Sequence, residues 1–357
     1  MKVLQVTSLL SGGPLEHALV LSRALARSGV EVEAVCAEAE IAARFAAGGV
    51  EPHVLPLAST GDLAGGRRLR RLAADFDVVH GQDRRSGLWT RLWPRQRGQV
   101  RVYTVHGLPD PYLPPPVGSE AVGLRDRVAY RGLDAWLARR SDAVVSPSHF
   151  LAGQLISRLG YPAARIAVVP NGVEAPPPLP PGELVGTISL LEPVKGLDTF
   201  LRAAAQVRER RPETRFAVYG TGPAGEALAG LARGLGLAEA VAFPGHVPSR
   251  EALATLRLYV LCSLLENSPM SLLEAMAAGR PALATAVGGV PEIAADVIPL
   301  LPPRDPEALA AAILRLLDDP ALGEEIGSRG RERVDAHFTA TVNAEQMLSL
   351  YERLRRS

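Results

Sequence analysis

Two carboxylates, Glu266 and Glu274, stand eight positions apart around a helix start in CSLLENSPMSLLEAMAAGRPALATAVGGVPE, residues 262–292. Ser268 is a good N-cap and Pro269 suits the first helical position, so the pattern predicts a helix beginning near Pro269. Glu266 then lies in the loop before the helix and Glu274 on its first or second turn. The N–H groups of Met270, Ser271 and Leu272 at that start, together with the helix dipole, form an anion site best suited to phosphate. Carboxylates accept hydrogen bonds from hydroxyls, so the combination points to a ligand that is anionic at one end and hydroxyl-rich at the other. A nucleotide sugar has that chemistry.

Lysine occurs only at Lys2 and Lys195, against 37 arginines. Lys195 and Gly196 follow the apolar run LVGTISL and precede the helical pattern LDTFLRAAAQV. A cation at a helix start opposes the dipole, which an anionic ligand there would offset. A compact ammonium also fits a crowded phosphate pocket better than a planar guanidinium; chance placement is the alternative. His106 directly follows VRVYTV, and His80 and Gln82 end the preceding strand in the same way, positions that suit ligand contact. His80 and His106 have no convincing third metal ligand, so no metal site is expected. Gly12 and Gly13, between the first strand and a helix, suit close backbone approach to a phosphate. They do not form GxGxxG, so no nicotinamide cofactor is indicated, and a plain tight turn explains them equally well. Gly220 and Gly222 in GTGP close another strand on the same kind of sheet edge, where a turn alone is again the alternative. Gly288 and Gly289, ahead of Glu292, read as a structural turn.

These residues need strands and helices to hold them, and the chain alternates the two throughout. Apolar, β-branched runs at 2–7, 31–36, 76–80, 100–105, 143–146 and 166–169 are separated in several places by amphipathic patterns such as 15–28 and 149–159. Short buried strands alternating with helices predict a parallel sheet covered on both faces. Five prolines among 176–181 then interrupt the pattern, and 173–183 reads as a semi-rigid linker. The alternation restarts at 184 and runs to 318. The expected architecture is α/β: two doubly wound, Rossmann-like parallel-sheet domains, 1–172 and 184–335, facing a central cleft. A C-terminal helix over 336–357, with Val342, Met347, Leu350, Tyr351 and Leu354 at near-helical spacing, is expected to pack back on the first domain. In open α/β sheets ligands bind beyond the carboxyl ends of the strands, which is where the candidate residues fall.

At 357 residues and 47% hydrophobic, the chain has the size and composition of two soluble domains. No apolar run approaches the roughly 20 residues a membrane span needs. MKVLQVTSLL lacks the apolar core and cleavage site of a signal peptide and reads as a first strand. Cys36 and Cys262 are too few for a disulfide scaffold and sit in apolar surroundings, as expected of reduced core residues in a cytoplasmic protein. Net charge is +1, unevenly placed: residues 67–140 carry 15 Lys+Arg against 7 Asp+Glu. Such a stretch can attract an anionic or lipid-linked acceptor or a membrane surface, and a well-solvated arginine-rich face is the bland alternative. Nucleic acid is disfavoured, because no zinc spacing, aromatic-basic motif or basic tail accompanies the arginines. The proline-rich loop 107–122 reads as either a functional lid or a disordered segment.

At these residues the chain resembles the family 4 retaining glycosyltransferases of GT-B architecture. The resemblance runs nearly end to end, through the GG turn with Glu16, SDAVVSPSHF, VVPNGVE (168–174), VKGLDTFLRAAAQV (194–207), VYGTGP (218–223) and VAFPGHV (241–247). Its most specific part is the Glu-x7-Glu signature of 266–292. The resemblance implies transfer of a sugar from a UDP- or GDP-sugar with retention at the anomeric carbon, without metal or cofactor. By the same resemblance Glu266 binds hydroxyls of the donor sugar, Glu274 binds the ribose, and Lys195 neutralises the diphosphate. Backbone N–H groups at Gly13 and at 270–272 assist Lys195, and His106 lies near the reacting centre. One position departs from the pattern: the family usually carries an Arg five residues before the Lys, and here that position is Leu190. A catalytically silent nucleotide-sugar binding protein and a GT-B nucleotide-sugar epimerase are therefore the alternatives.

Overall fold

A computed structural model of the chain describes residues 1–93, 96–109 and 127–356. The chain forms two compact units, Met1–Gly172 with Ala340–Ser357 and Val173–Thr339. Residues 110–122 of the expected lid lie outside the described residues.

The first unit is built on seven parallel strands: β1 (Lys2–Val6), β2 (Glu31–Cys36), β3 (Glu51–Val54), β4 (Val78–Gly81), β5 (Val100–Thr104), β6 (Ala143–Ser146) and β7 (Ile166–Val168). Their order is β3-β2-β1-β4-β5-β6-β7, so the chain winds outward from β1 in one direction and then crosses to β4 and winds in the other. The strand order reverses at β1, between β2 and β4, and the carboxyl end of such a switch point is the crevice these sheets offer to ligands. Alternate strand residues face opposite helical layers. Val3, Val78, Val102 and Val145 pack with α1 (Gly13–Arg27), α2 (Ala39–Ala46) and the C-terminal helix. Leu4, Val6, Val79, Tyr103 and Val144 face the other side, which carries α3 (Leu63–Leu72), α4 (Arg84–Leu92), α5 (Ala135–Arg140) and α6 (His149–Leu159). α5 continues from a π-helical stretch, Arg127–Asp134. The period-2 signal missed β3, whose sequence EPHV is short, partly exposed and interrupted by proline at the sheet edge.

The second unit holds six parallel strands in the order β10-β9-β8-β11-β12-β13: β8 (Leu184–Ile188), β9 (Phe216–Tyr219), β10 (Val241–Gly245), β11 (Leu256–Leu261), β12 (Ala282–Thr285) and β13 (Leu300–Leu301). The helices between and after them are α7 (Leu197–Arg210), α8 (Gly225–Gly234), α9 (Ser249–Thr255), α10 (Met270–Ala277), α11 (Val290–Ala294), α12 (Pro306–Asp318) and α13 (Pro320–His337). The proline-rich 173–183 segment is laid along this unit. Leu179 and Gly182 donate backbone hydrogen bonds to Ala278 and Leu256 at 3.2 Å, and Arg331 donates to the carbonyls of Ala175 and Pro176. The arginine satisfies carbonyls that a proline run cannot pair within itself. The chain then rejoins the first unit as α14 (Ala340–Arg356). This helix starts four residues later than its amphipathic pattern, because α13 ends at His337 and Thr339 pairs with Val173. Its Ala344, Met347, Leu350 and Tyr351 are buried in the core shared with α1. Among the described residues no helix is long and apolar enough to cross a membrane.

Candidate active site

In the second unit the site residues sit in loops at the carboxyl ends of β8, β9, β11 and β12. Lys195 ends a short 3-10 turn, Pro193–Lys195, and Gly196 with φ 62° caps α7. A side chain at Gly196 would collide with the Cys262 carbonyl, so glycine lets the loop after β8 lie against the loop after β11. Leu264 donates to the Val194 carbonyl at 2.7 Å and the Cys262 thiol to that of Lys195 at 3.3 Å, stitching the two loops. Burial pushes the Cys262 thiol up to about 12, so it is a packing and hydrogen-bonding group, not a nucleophile.

This stitching brings together two residues 71 positions apart. Lys195 Nζ donates to Glu266 Oε1 at 2.7 Å, with the two side chains 21% and 11% exposed. Ser263 Oγ donates to the same oxygen at 2.7 Å. The Glu266 backbone is held from the other side. Gly289 N–H donates to its carbonyl at 2.9 Å, and Gly288, at φ 55°, lies so close that a Cβ would strike that carbonyl. The Gly288–Gly289 turn is thus the clamp on the first carboxylate.

α10 begins at Met270, one residue later than its pattern predicts. Pro269 is the cap residue, extended at ψ 112°, and Ser268 does not cap the helix. The first backbone bond back along the helix runs from Leu273 to Pro269, so the N–H groups of Met270, Ser271 and Leu272 precede any intrahelical acceptor. The Met270 and Leu272 side chains are buried, so these two can offer only backbone, and the Ser271 hydroxyl accepts from Tyr259 at 2.8 Å. Glu274 lies on the second turn, where its Oε2 accepts from Ser249 on α9 at 2.5 Å. Gly220 and Gly222 pack on the backbone of Ser189 and Leu191, and Leu191 exchanges bonds with Thr221 and Ala224 at 2.9 Å. Their lack of side chains joins the ends of β8 and β9. Leu190, between those contacts, is 47% exposed.

In the first unit Gly12, at φ 93°, caps α1, and its carbonyl takes the N–H groups of Leu15 and Glu16. His106 lies just past β5, its ring 5.1 Å from that of His17 on α1. Its Nε2 is 3.4 Å from Gln82 Oε1, and the Gln82 amide donates to Gln5 Oε1 at 2.8 Å. Below them His80 is bonded through both ring nitrogens, to Tyr351 of α14 at 2.6 Å and to Thr104 at 2.7 Å. Burial, then the neighbouring His17, lowers His80 to about 3; burial, then His80, also lowers His106. Burial and then His106 hold His17 well below its ordinary value. Three neutral imidazoles therefore line the carboxyl ends of β4 and β5 and the start of α1. His17, Gln5, Ser263 and Ser249 went unnoticed in the sequence. His17 sits on the buried face of an ordinary amphipathic helix, and the serines follow no spacing rule.

Residues 11–175 match the family model described as Glycosyltransferase Family 4, and residues 182–319 match Glycosyl transferases group 1. Together with the two parallel α/β sheets, these matches define a chain of GT-B fold. The chain carries a family 4 domain followed by a group 1 domain. The glycogen synthase of Mycobacterium tuberculosis (strain ATCC 25618 / H37Rv) is 31% identical over 234 residues, covering 61% of this chain and 56% of that protein. The putative colanic acid biosynthesis glycosyltransferase WcaL of Escherichia coli (strain K12) is 32% identical over 239 residues, covering 61% and 58%. The chain thus spans a little over half the length of these curated relatives. Among solved structures, Anabaena Alr3699/HepE in complex with UDP and glucose superposes with a TM-score of 0.83 at 18% identity, covering 99% of this chain and 100% of that one. Sucrose-phosphate synthase (tll1590) from Thermosynechococcus elongatus superposes with 0.82 at 21% identity, covering 99% and 98%.

Proposed function

We propose that the protein transfers a sugar from a nucleotide-diphosphate sugar, a UDP- or GDP-sugar, to a hydroxyl acceptor with retention at the anomeric carbon. The observation that carries this reading is the Lys195–Glu266 pair, clamped by Gly288–Gly289, in the same unit as the α10 N-terminus and Glu274. A cation and three helix-start N–H groups suit a diphosphate, and two carboxylates suit sugar and ribose hydroxyls. We assign the diphosphate to Lys195 and the N–H groups of Met270, Ser271 and Leu272, the donor sugar to Glu266 and the ribose to Glu274. In the first unit we assign His106, as a neutral imidazole, to a sugar hydroxyl, and the Gly12–Gly13 turn to a phosphate oxygen.

In this reading the bond between the anomeric carbon and the diphosphate oxygen breaks, and its electron pair leaves on the phosphate. The acceptor oxygen bonds to the anomeric carbon on the same face, and its proton passes to the departing phosphate oxygen. The ammonium of Lys195 and the helix N–H groups stabilise the leaving charge without a metal ion. The carboxylates then serve as hydroxyl binders and not as the acid and nucleophile of a glycosidase.

Incubation with UDP-, GDP- and ADP-sugars, following nucleotide release, tests this. Slow hydrolysis of one donor, lost in Glu274→Ala, is the expected result. Saturable donor binding with no turnover, with or without acceptors, would instead support a silent binding protein, the reading that the apolar, exposed Leu190 favours.

A further inference from the structure

Several exposed arginines of the 67–140 stretch gather on one helical layer of the first unit. α3, α4 and α5 cover the same face of the seven-stranded sheet, with α4 packed against both neighbours. On α3, Leu69 points to the sheet while Arg67, Arg68, Arg70 and Arg71 are exposed. On the π-helical stretch and α5, Arg131, Arg139 and Arg140 are exposed. Acidic groups of the layer are largely spent within it. Asp62 and Asp83 cap α3 and α4, and the buried Asp134 pairs with Arg84 at 2.9 Å. Asp77 is tied to Lys2 N–H and Arg355, which leaves Asp75 as the exposed acid among the described residues of 67–140.

The same layer exposes large apolar side chains. Val128 is 63%, Leu133 40% and Trp136 44% exposed, three within nine residues, and Leu63 at the start of α3 is 53% exposed. Single exposed apolar residues are ordinary, but a run of them interleaved with guanidinium groups is not. Leu133, Trp136 and Arg140 follow one another at helical spacing, and the Arg140 guanidinium lies 4.6 Å from the Trp136 ring. This is the side-chain chemistry of a membrane interface, where an aromatic ring sits at headgroup depth and arginines reach phosphates.

We propose that this layer seats on the surface of an anionic lipid bilayer. Val128, Leu133 and Trp136 enter the boundary between headgroups and acyl chains. Arg131, Arg139 and Arg140, with the four arginines of α3, face the lipid phosphates. A soluble polyanion would satisfy the arginines but leave Val128, Leu133 and Trp136 in water, so the apolar residues decide for the bilayer. The proposal goes beyond donor chemistry and stands independently of it.

The test is co-sedimentation of the full chain with vesicles of phosphatidylcholine alone and of equal parts phosphatidylcholine and phosphatidylglycerol, with tryptophan emission read alongside. Binding to the anionic vesicles only, weakening as salt rises, and a blue shift absent in Trp136→Phe are expected. Arg139→Gln and Arg140→Gln should each lower partitioning about fivefold. Leu133→Ser with Trp136→Ser should lower it further while leaving the melting temperature and nucleotide-sugar hydrolysis unchanged. No sedimentation with anionic vesicles at low salt overturns the proposal. So does vesicle binding that is unchanged in the Leu133→Ser, Trp136→Ser variant and fully competed by heparin or RNA, which would identify a soluble polyanion as the partner. Because no nucleotide sugar enters the vesicle assay, its failure and failure of the donor reading are separable.

Discussion

Replacing Gly288 with alanine should dislodge Glu266 and with it the donor site. Gly288 has φ 55°, and an added Cβ would meet the Glu266 carbonyl. Two costs follow. A non-glycine residue in the left-handed region costs roughly 1–2 kcal/mol, and forcing a methyl into a closed contact costs a further 1–3 kcal/mol or so. The second cost is met by shifting the Glu266 backbone, which breaks the Gly289 N–H bond and misplaces the carboxylate from Lys195. Gly279 in the same unit provides the control. Its φ is 68°, but its nearest neighbour to an added Cβ is Pro178 at an ordinary 3.5 Å, so Gly279→Ala carries only the backbone cost. With roughly 2–4 °C lost per kcal/mol for a domain of this size, Gly279→Ala should lower the second unit's melting temperature by about 2–8 °C and Gly288→Ala by about 4–20 °C. Calorimetric melting, with titration of UDP and GDP below the transition, is the assay. Gly288→Ala should lose nucleotide-sugar turnover, whereas Gly279→Ala keeps it. Equal melting of the two variants with undiminished turnover in Gly288→Ala would refute the clamp.

Lys195→Met should weaken binding of the nucleoside diphosphate about 10- to 150-fold, the equivalent of one charge-assisted hydrogen bond of about 1.5–3 kcal/mol; unchanged affinity by titration would remove Lys195 from the diphosphate. Glu266→Gln should act in two directions, tightening the free nucleoside diphosphate because Lys195 loses its counter-charge, and slowing turnover of the nucleotide sugar. His80 is neutral in the fold at about 3 and near 6.5 unfolded, so its contribution to stability is present above pH 6.5 and is lost as pH falls from there toward 3. The loss is about 1.4 kcal/mol per pH unit, or roughly 2 kcal/mol by about pH 5. His80→Gln should flatten the pH dependence of the first unit's melting, and an unaltered slope counts against the assignment. Leu190→Arg should restore a phosphate contact and lower the KM for the nucleotide sugar; no change in KM would show that the exposed Leu190 is not beside the diphosphate.

The alternation of strands and helices was legible because both signals are local. Val and Ile runs bury on two faces of a parallel sheet, and helical stripes cover them. The elements that escaped notice were those with weak local signals, such as the short edge strand β3 and the arginine-rich α3, whose buried face is reduced to Gly65, Gly66 and Leu69. Of the candidate site, the α10 start was readable to within one residue, because caps are made by neighbours. Ser268 and Pro269 both favour a start there, and the extended ψ of Pro269 settles which residue caps. Ser249 and Ser263 could not be found this way. Nothing in a serine's own neighbourhood says that it will meet a carboxylate 25 positions away, as Ser249 meets Glu274.

The sequence by itself determined that this chain has two α/β halves, a helix start flanked by two carboxylates and a lysine at 195 where arginine is the rule. Each of those follows from residues near one another along the chain. Tertiary structure alone decided that Lys195 meets Glu266, that Gly288 holds the Glu266 carbonyl and that Tyr351 reaches His80 across 271 positions. It also decided that exposed arginines of α3 and α5 share one layer with Trp136. Strand order and register set those meetings, and a parallel sheet places side by side strands that are far apart in sequence.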